Sequence, residues 1–122
     1  MKLLIVDDSA MLRDMLTYAL NEGGYTDVTE CDDGTDGLIK AKSSQYDLII
    51  ADINMPNMDG LTMIKEIRKL SDYDQTPILI LTTEKDEQLR EDAKDVGANG
   101  WITKPFVPDQ LLKAVSAVLS KN

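Results

Sequence analysis

At 122 residues, with 43% hydrophobic and 29% charged side chains, the chain has material for one globular domain with a core, and its composition is that of an ordinary globular protein, not a disordered one. Its 22 acidic and 13 basic residues leave a net charge of -9, which argues against the basic footprint that direct nucleic-acid binding requires. There is no histidine and Cys31 is the only cysteine, so histidine acid–base catalysis, zinc sites and an internal disulfide are excluded.

The chain starts with Leu3-Leu4-Ile5-Val6, a short continuous apolar run of the kind that parallel sheets bury on both faces. Asp7 and Asp8 follow too soon for a secretory signal. No apolar run approaches the roughly 20 residues of a spanning helix, so a cytoplasmic protein without membrane insertion is expected. Ser9 is placed as the N-cap of a helix with an apolar stripe of Met11, Leu12, Met15, Leu16, Ala19 and Leu20, ended by Gly23-Gly24. Asp27 to Cys31 reads as a second strand. After the turn at Asp33-Gly34, a helix from about Thr35 to Lys42 is expected from Leu38, Ile39 and Ala41.

Leu48-Ile49-Ile50-Ala51 is the third strand and ends in Asp52. Asp59 caps the next helix, whose stripe is Leu61, Ile64 and Ile67. Ile78-Leu79-Ile80-Leu81 is the fourth strand and ends in Thr82-Thr83. The 84–96 stretch reads as a helix with Leu89, Ala93 and Val96 inward, closed by Gly97. Gly100 to Thr103 is the fifth strand, ending in Lys104-Pro105, and a last helix carries Leu111, Leu112, Val115, Val118 and Leu119. It runs almost to Asn122, so 1–122 is expected to be a single domain. Five alternations of strand and helix imply a parallel sheet covered on both faces, and right-handed crossovers make it a doubly wound α/β fold.

In such folds the active groups lie beyond the carboxyl ends of the strands. Those ends carry Asp7-Asp8, Asp52, Thr82 and Lys104. If the first and third strands are neighbours, three carboxylates converge, and their repulsion must be relieved by a proton or a cation. Oxygen donors without His or Cys suit a hard divalent ion, Mg²⁺ being the natural one. Lys104 supplies a compact positive charge that can pair with the carboxylates and later with a phosphoryl oxygen. Each residue alone has a plainer explanation: Asp8 a cap, Thr82 a strand residue bonded to its own backbone, Lys104 a solvated charge, Pro105 a turn. Their convergence on one edge of the sheet is what points to a site.

Four segments, Ile5-Val6-Asp7-Asp8-Ser9, Asp52-Ile53-Asn54-Met55-Pro56-Asn57-Met58-Asp59-Gly60, Leu81-Thr82-Thr83 and Lys104-Pro105-Phe106, resemble in order and spacing the receiver domains of two-component response regulators. The similarity covers essentially the whole chain, and the segment from Asn54 to Gly60 resembles the stand-alone chemotaxis regulators most. The resemblance implies a flavodoxin-like sheet of order 2-1-3-4-5. It makes Asp52 the phosphoacceptor, with Mg²⁺ held by Asp8, Asp52 and the backbone carbonyl of Asn54, and Asp7 acting partly through water. Thr82 would hydrogen-bond the phosphoryl group, Lys104 would pair with it, and the Lys104–Pro105 bond would be cis. Trp101 falls where the family carries an aromatic switch residue, normally Tyr or Phe, and its indole is bulkier. Asn54 and Glu84 would flank the path of hydrolytic water and tune the phosphoryl lifetime, unless Glu84 only complements the N-terminus of its helix.

By the same resemblance, a sensor histidine kinase supplies the phosphoryl group, since this chain has no histidine of its own. A protein target, with a flagellar motor switch as the leading candidate, reads the 84–120 face, and a separate phosphatase is a further partner. No turnover of an external substrate is expected. Asn99-Gly100 and Lys113 stand where dimerising receivers carry a charged pair and an arginine, which favours a monomer. A phosphorelay intermediate and the receiver half of a larger regulator would use the same site. A phosphatase of the haloacid dehalogenase type would need a second Asp two residues beyond Asp52, where Asn54 cannot exchange a proton.

Overall fold

The continuous apolar runs form the centre of a five-stranded parallel sheet. In the computed structural model, which describes residues 1–120, the strands are β1 (Lys2–Val6), β2 (Asp27–Cys31), β3 (Leu48–Ala51), β4 (Ile78–Thr82) and β5 (Gly100–Thr103). Their order is β2-β1-β3-β4-β5, and every neighbouring pair is parallel. The helices are α1 (Ala10–Glu22), α2 (Gly34–Ser43), α3 (Gly60–Arg68), α4 (Glu87–Val96) and α5 (Pro108–Leu119).

Successive side chains of a strand point to opposite faces, and the sheet divides its apolar residues accordingly. Leu4, Val6, Ile49, Ala51, Ile78 and Ile80 pack with Ala41 of α2, Met63, Ile64 and Ile67 of α3 and Ala93 of α4. Leu3, Ile5, Leu48, Ile50, Leu79 and Leu81 pack with Leu16, Ala19 and Leu20 of α1 and Leu111 and Val115 of α5. The doubly wound expectation holds in order and direction.

Three local expectations need correction. Met11 and Met15 are 75% and 53% exposed, so α1 rests on the sheet through Leu12, Leu16, Ala19 and Leu20 instead. With Tyr18 the two methionines follow i, i+4, i+7 along the adjacent, solvent-facing line of the helix. In α3 the buried set is Met63, Ile64 and Ile67, with Leu61 only partly covered. Finally, α4 begins at Glu87 behind Asp86, whose side chain accepts from the Gln88 amide, so Glu84 lies outside the helix. The expected caps are in place: Ser9 accepts from the Leu12 amide and Asp59 from that of Thr62. No helix among the described residues is long and apolar enough to cross a membrane.

Candidate functional site

Parallel strands in register bring their carboxyl ends to one edge, and the polar residues that end them meet there. Asp7 continues the ladder past β1, its amide donating to the Cys31 carbonyl at 3.0 Å. Asp52 does the same past β3, donating to Val6 O at 3.0 Å. Both carboxylates are nearly sealed from solvent, at 3% and 7% exposure, while Asp8 faces outward. One oxygen from each of the three lies within 4.8 Å of the others.

Lys104 closes the cluster. Its backbone amide donates to Thr82 O at 2.8 Å, and the Lys104–Pro105 peptide is cis. Its Nζ donates to Asp7 Oδ2 and Asp52 Oδ2, each at 2.8 Å. The remaining oxygens are occupied as well: Asp7 Oδ1 accepts from the Ser9 amide at 2.9 Å and Asp52 Oδ1 from the Ile53 amide at 2.6 Å. Burial alone would pull the lysine down, but hydrogen bonds and charge from Asp52 and Asp7 outweigh it and hold Lys104 above the usual lysine value.

A cation held above its unfolded value stabilises the fold fully below that unfolded value, and the contribution fades as pH rises through the folded one. Lys104→Met is therefore expected to destabilise the protein by about 2 kcal/mol at neutral pH, the scale of hydrogen bonds to charged groups. The gap between variant and parent should shrink as pH passes 10.5. Urea unfolding of both proteins across that range checks it; a gap that widens in alkali would contradict the pairing.

One lysine faces three carboxylates, so negative charge remains uncompensated, concentrated at Asp8, whose side chain has no hydrogen bond or ion pair among the described residues. The donor set is all oxygen, anionic and open on the Asp8 side. A hard divalent cation fits it.

Three more expected residues border the cluster. Thr82 ends β4 fully buried, at 0% exposure, and its Oγ accepts from the Glu84 amide at 3.3 Å, leaving the hydroxyl proton to donate elsewhere. Asn54 and Glu84 come from different loops yet touch, with Asn54 Nδ2 donating to Glu84 Oε1 at 2.8 Å. Trp101 stands apart, half-buried on β5 against α4. The Arg90 guanidinium lies 6.0 Å from its ring, and both border a groove of about 250 Å³ with Ala93, Lys94 and Ala98.

A brace on the β3–α3 loop has no local signature in the sequence. Asn57 adopts φ 67, a left-handed conformation that Asn tolerates better than most residues, and its amide donates to Asp33 Oδ2 at 2.7 Å. Asp33 also caps α2 through the Asp36 amide. That backbone bond, then the Asn57 amide, hold the Asp33 carboxyl below its usual range.

Residues 3–116 match the response regulator receiver domain. The chain belongs to the response regulator receiver family. The receiver is 37% identical over 123 residues to chemotaxis protein CheY1 of Helicobacter pylori, spanning all of this chain and 99% of that one. Among solved structures, Vibrio cholerae CheY4 superposes with a TM-score of 0.90 at 44% identity, covering 96% of the receiver and 97% of that chain. The CheX-CheY-BeF3-Mg²⁺ complex from Borrelia burgdorferi contains a chain that matches at a TM-score of 0.92 and 30% identity, covering 98% and 90%. The family and the observed strand order bear out the sequence-based assignment to two-component signalling.

Proposed function

We propose that this receiver accepts a phosphoryl group on Asp52 from a phosphohistidine of a sensor histidine kinase, and that the modified state changes its affinity for a protein target in chemotaxis. The observation that carries the proposal is the lysine held 2.8 Å from both Asp7 and Asp52, beside the exposed carboxylate of Asp8. Transfer forms a bond from an Asp52 oxygen to phosphorus as the phosphorus–nitrogen bond to the donor imidazole breaks. The imidazole leaves with that electron pair. Such a transfer demands positioning and charge neutralisation more than covalent work from the protein.

The chain's own groups divide that task. Asp52 Oδ2 gives up the lysine as the phosphoryl group arrives, and Lys104 turns to a phosphoryl oxygen. Thr82 donates the proton that Glu84's amide leaves free. Asp8, Asp52 and the Asn54 carbonyl would hold Mg²⁺, with Asp7 bound to it partly through water; when bound, the ion offsets charge on the phosphoryl oxygens. The Borrelia complex, which holds both Mg²⁺ and a beryllium fluoride, supports this by likeness.

The output is a population shift. A state with Thr82 drawn toward the phosphoryl group opens space for Trp101, and the 84–120 face changes shape. Only a target with different affinities for the two states can read that change. The likeness to chemotaxis proteins supports a target in chemotaxis; a flagellar motor switch is the target proposed, with a separate phosphatase that resets the signal. No external substrate is turned over in this scheme.

The test uses the full chain with labelled acetyl phosphate. Label should be incorporated only with Mg²⁺ and be released by hydroxylamine, as an acyl phosphate is; hydroxylamine-resistant label would refute the proposal. Asn54 and Glu84, hydrogen-bonded at the site's edge, should set the decay of the label. Replacing both should change its half-life several-fold, and an unaltered half-life removes them from that role.

A further inference from the structure

The turn that presents Asp7 and Asp8 is fastened by a side chain outside the acidic cluster. From the first turn of α1, Arg13 reaches back and its Nη1 donates to the backbone carbonyl of Asp7 at 2.6 Å. Its Nε donates to Glu30 Oε1 on β2 at 3.2 Å. Thr17, one turn farther along α1, donates to the other oxygen, Glu30 Oε2, at 3.2 Å.

With these contacts every polar atom of Asp7 is engaged: the amide with Cys31, the carbonyl with Arg13, the two carboxylate oxygens with Ser9 and Lys104. The carbonyl matters most, because it belongs to the planar peptide that leads into Asp8. Rotation of that peptide would swing the Asp8 carboxylate relative to Asp52. Held as it is, Asp8 projects from a fixed frame with its carboxylate open.

We infer that Arg13 is a positioning residue for the divalent-cation site, fixing the Asp7–Asp8 peptide while Glu30 cancels its charge. The inference rests on the Mg²⁺ role proposed above. A guanidinium suits the task because its rigid fork reaches two acceptors at once, whereas a lysine offers a single point of charge. The pairing with Glu30 solves a second problem. An uncompensated cation so near would repel the metal, and the ion pair supplies the geometry without the repulsion.

Positioning and simple electrostatics give opposite signs. If charge alone mattered, Arg13→Gln would tighten Mg²⁺ binding and Arg13→Lys would leave it unchanged. Positioning requires both variants to bind Mg²⁺ more weakly, by about tenfold on the scale of residues that orient metal ligands. Thr17→Val, which leaves the arginine in place and removes only the brace on Glu30, should show a smaller loss of the same sign.

Calorimetric titration of the full chain with MgCl₂ measures this, alongside thermal unfolding in EDTA. Val115→Ala, a core truncation on α5 away from the site, serves as a control expected to lower the unfolding temperature without weakening Mg²⁺ binding. Should Arg13→Gln fail to fold, Thr17→Val decides the question. Equal or tighter binding by the Arg13 variants, or by Thr17→Val in that event, overturns the inference and leaves the metal site standing. Equal loss of affinity in Val115→Ala overturns it too, by reducing the effect to lost stability. No binding by the unaltered chain overturns the Mg²⁺ role itself, and the inference with it.

Discussion

Asp52→Asn is expected to abolish labelling by acetyl phosphate, a fall of at least about a hundredfold, because an amide lacks the anionic oxygen that attacks phosphorus. The shape of the side chain is unchanged, so the fold should persist. The hydrogen bonds change in a definite way. Asp52 accepts on both oxygens, from the Ile53 amide at 2.6 Å and from Lys104 at 2.8 Å. Asparagine can satisfy only one of these donors; its own NH₂ must face the other. That mismatch costs about 1–3 kcal/mol, and relief of repulsion with Asp7 and Asp8 offsets part of it. The variant should therefore remain folded at room temperature, which far-UV circular dichroism and urea unfolding check. Undiminished labelling of a folded variant would transfer the acceptor role to Asp7 or Asp8.

The central strands were legible because burial on both faces leaves no choice of residue: Leu3 to Val6, Leu48 to Ala51 and Ile78 to Leu81 are unbroken apolar runs. The charges that end two of them, at Asp7 and Asp52, were legible for the same reason, and a parallel sheet brings Lys104, past the end of β5, to the same edge. Edge strands carry a weaker signal. Asp27 and Glu30 of β2 are exposed, and β5 is only partly covered along its length.

Helix faces were harder to assign. Met11 and Met15 are as apolar as Leu12 and Leu16, and nothing local says which of two adjacent lines the sheet covers. Least legible were polar contacts that span the chain. Arg68 reads as an ordinary basic residue complementing the end of α3. In the fold its Nη2 donates to Gly97 O at 2.7 Å and Asn99 Oδ1 at 3.0 Å, and the same Asn99 oxygen accepts from the Ile78 amide at 2.8 Å. Burial pulls this guanidinium below the usual arginine value, partly offset by Asp74. Arg13 and Asn57 share that character. Their partners are fixed by the packing of elements, and the local sequence holds no trace of them.

Gly60→Ala is the substitution expected to disturb both fold and site most. By helix propensity alone it should help, since Gly in a helix costs about 1 kcal/mol relative to Ala. The packing reverses the sign. A Cβ at Gly60 would stand 2.0 Å from the Asp52 carbonyl oxygen, 2.9 Å from its carbon and 3.0 Å from the Ile53 Cα. These are backbone atoms, so no rotamer change relieves the clash. The Gly60 amide also donates to Ile53 O at 2.8 Å, closing the loop that carries Asn54. To make room, the start of α3 must part from the end of β3, and Asp52 moves with it. A loss of about 3 kcal/mol is expected, at the upper end of overpacking effects. Gly37→Ala is the comparison: its Cβ would meet Met63 Sδ at 2.7 Å and the Val6 methyls at 3.0 and 3.2 Å, side-chain atoms that can give way. Urea unfolding should rank Gly60→Ala well below Gly37→Ala, and the surviving folded Gly60→Ala should label more slowly as Asp52 leaves its place beside Lys104. A Gly60→Ala protein as stable as its parent would mean that α3 does not abut the end of β3 so closely, and the rigid seat of Asp52 would lose its physical basis.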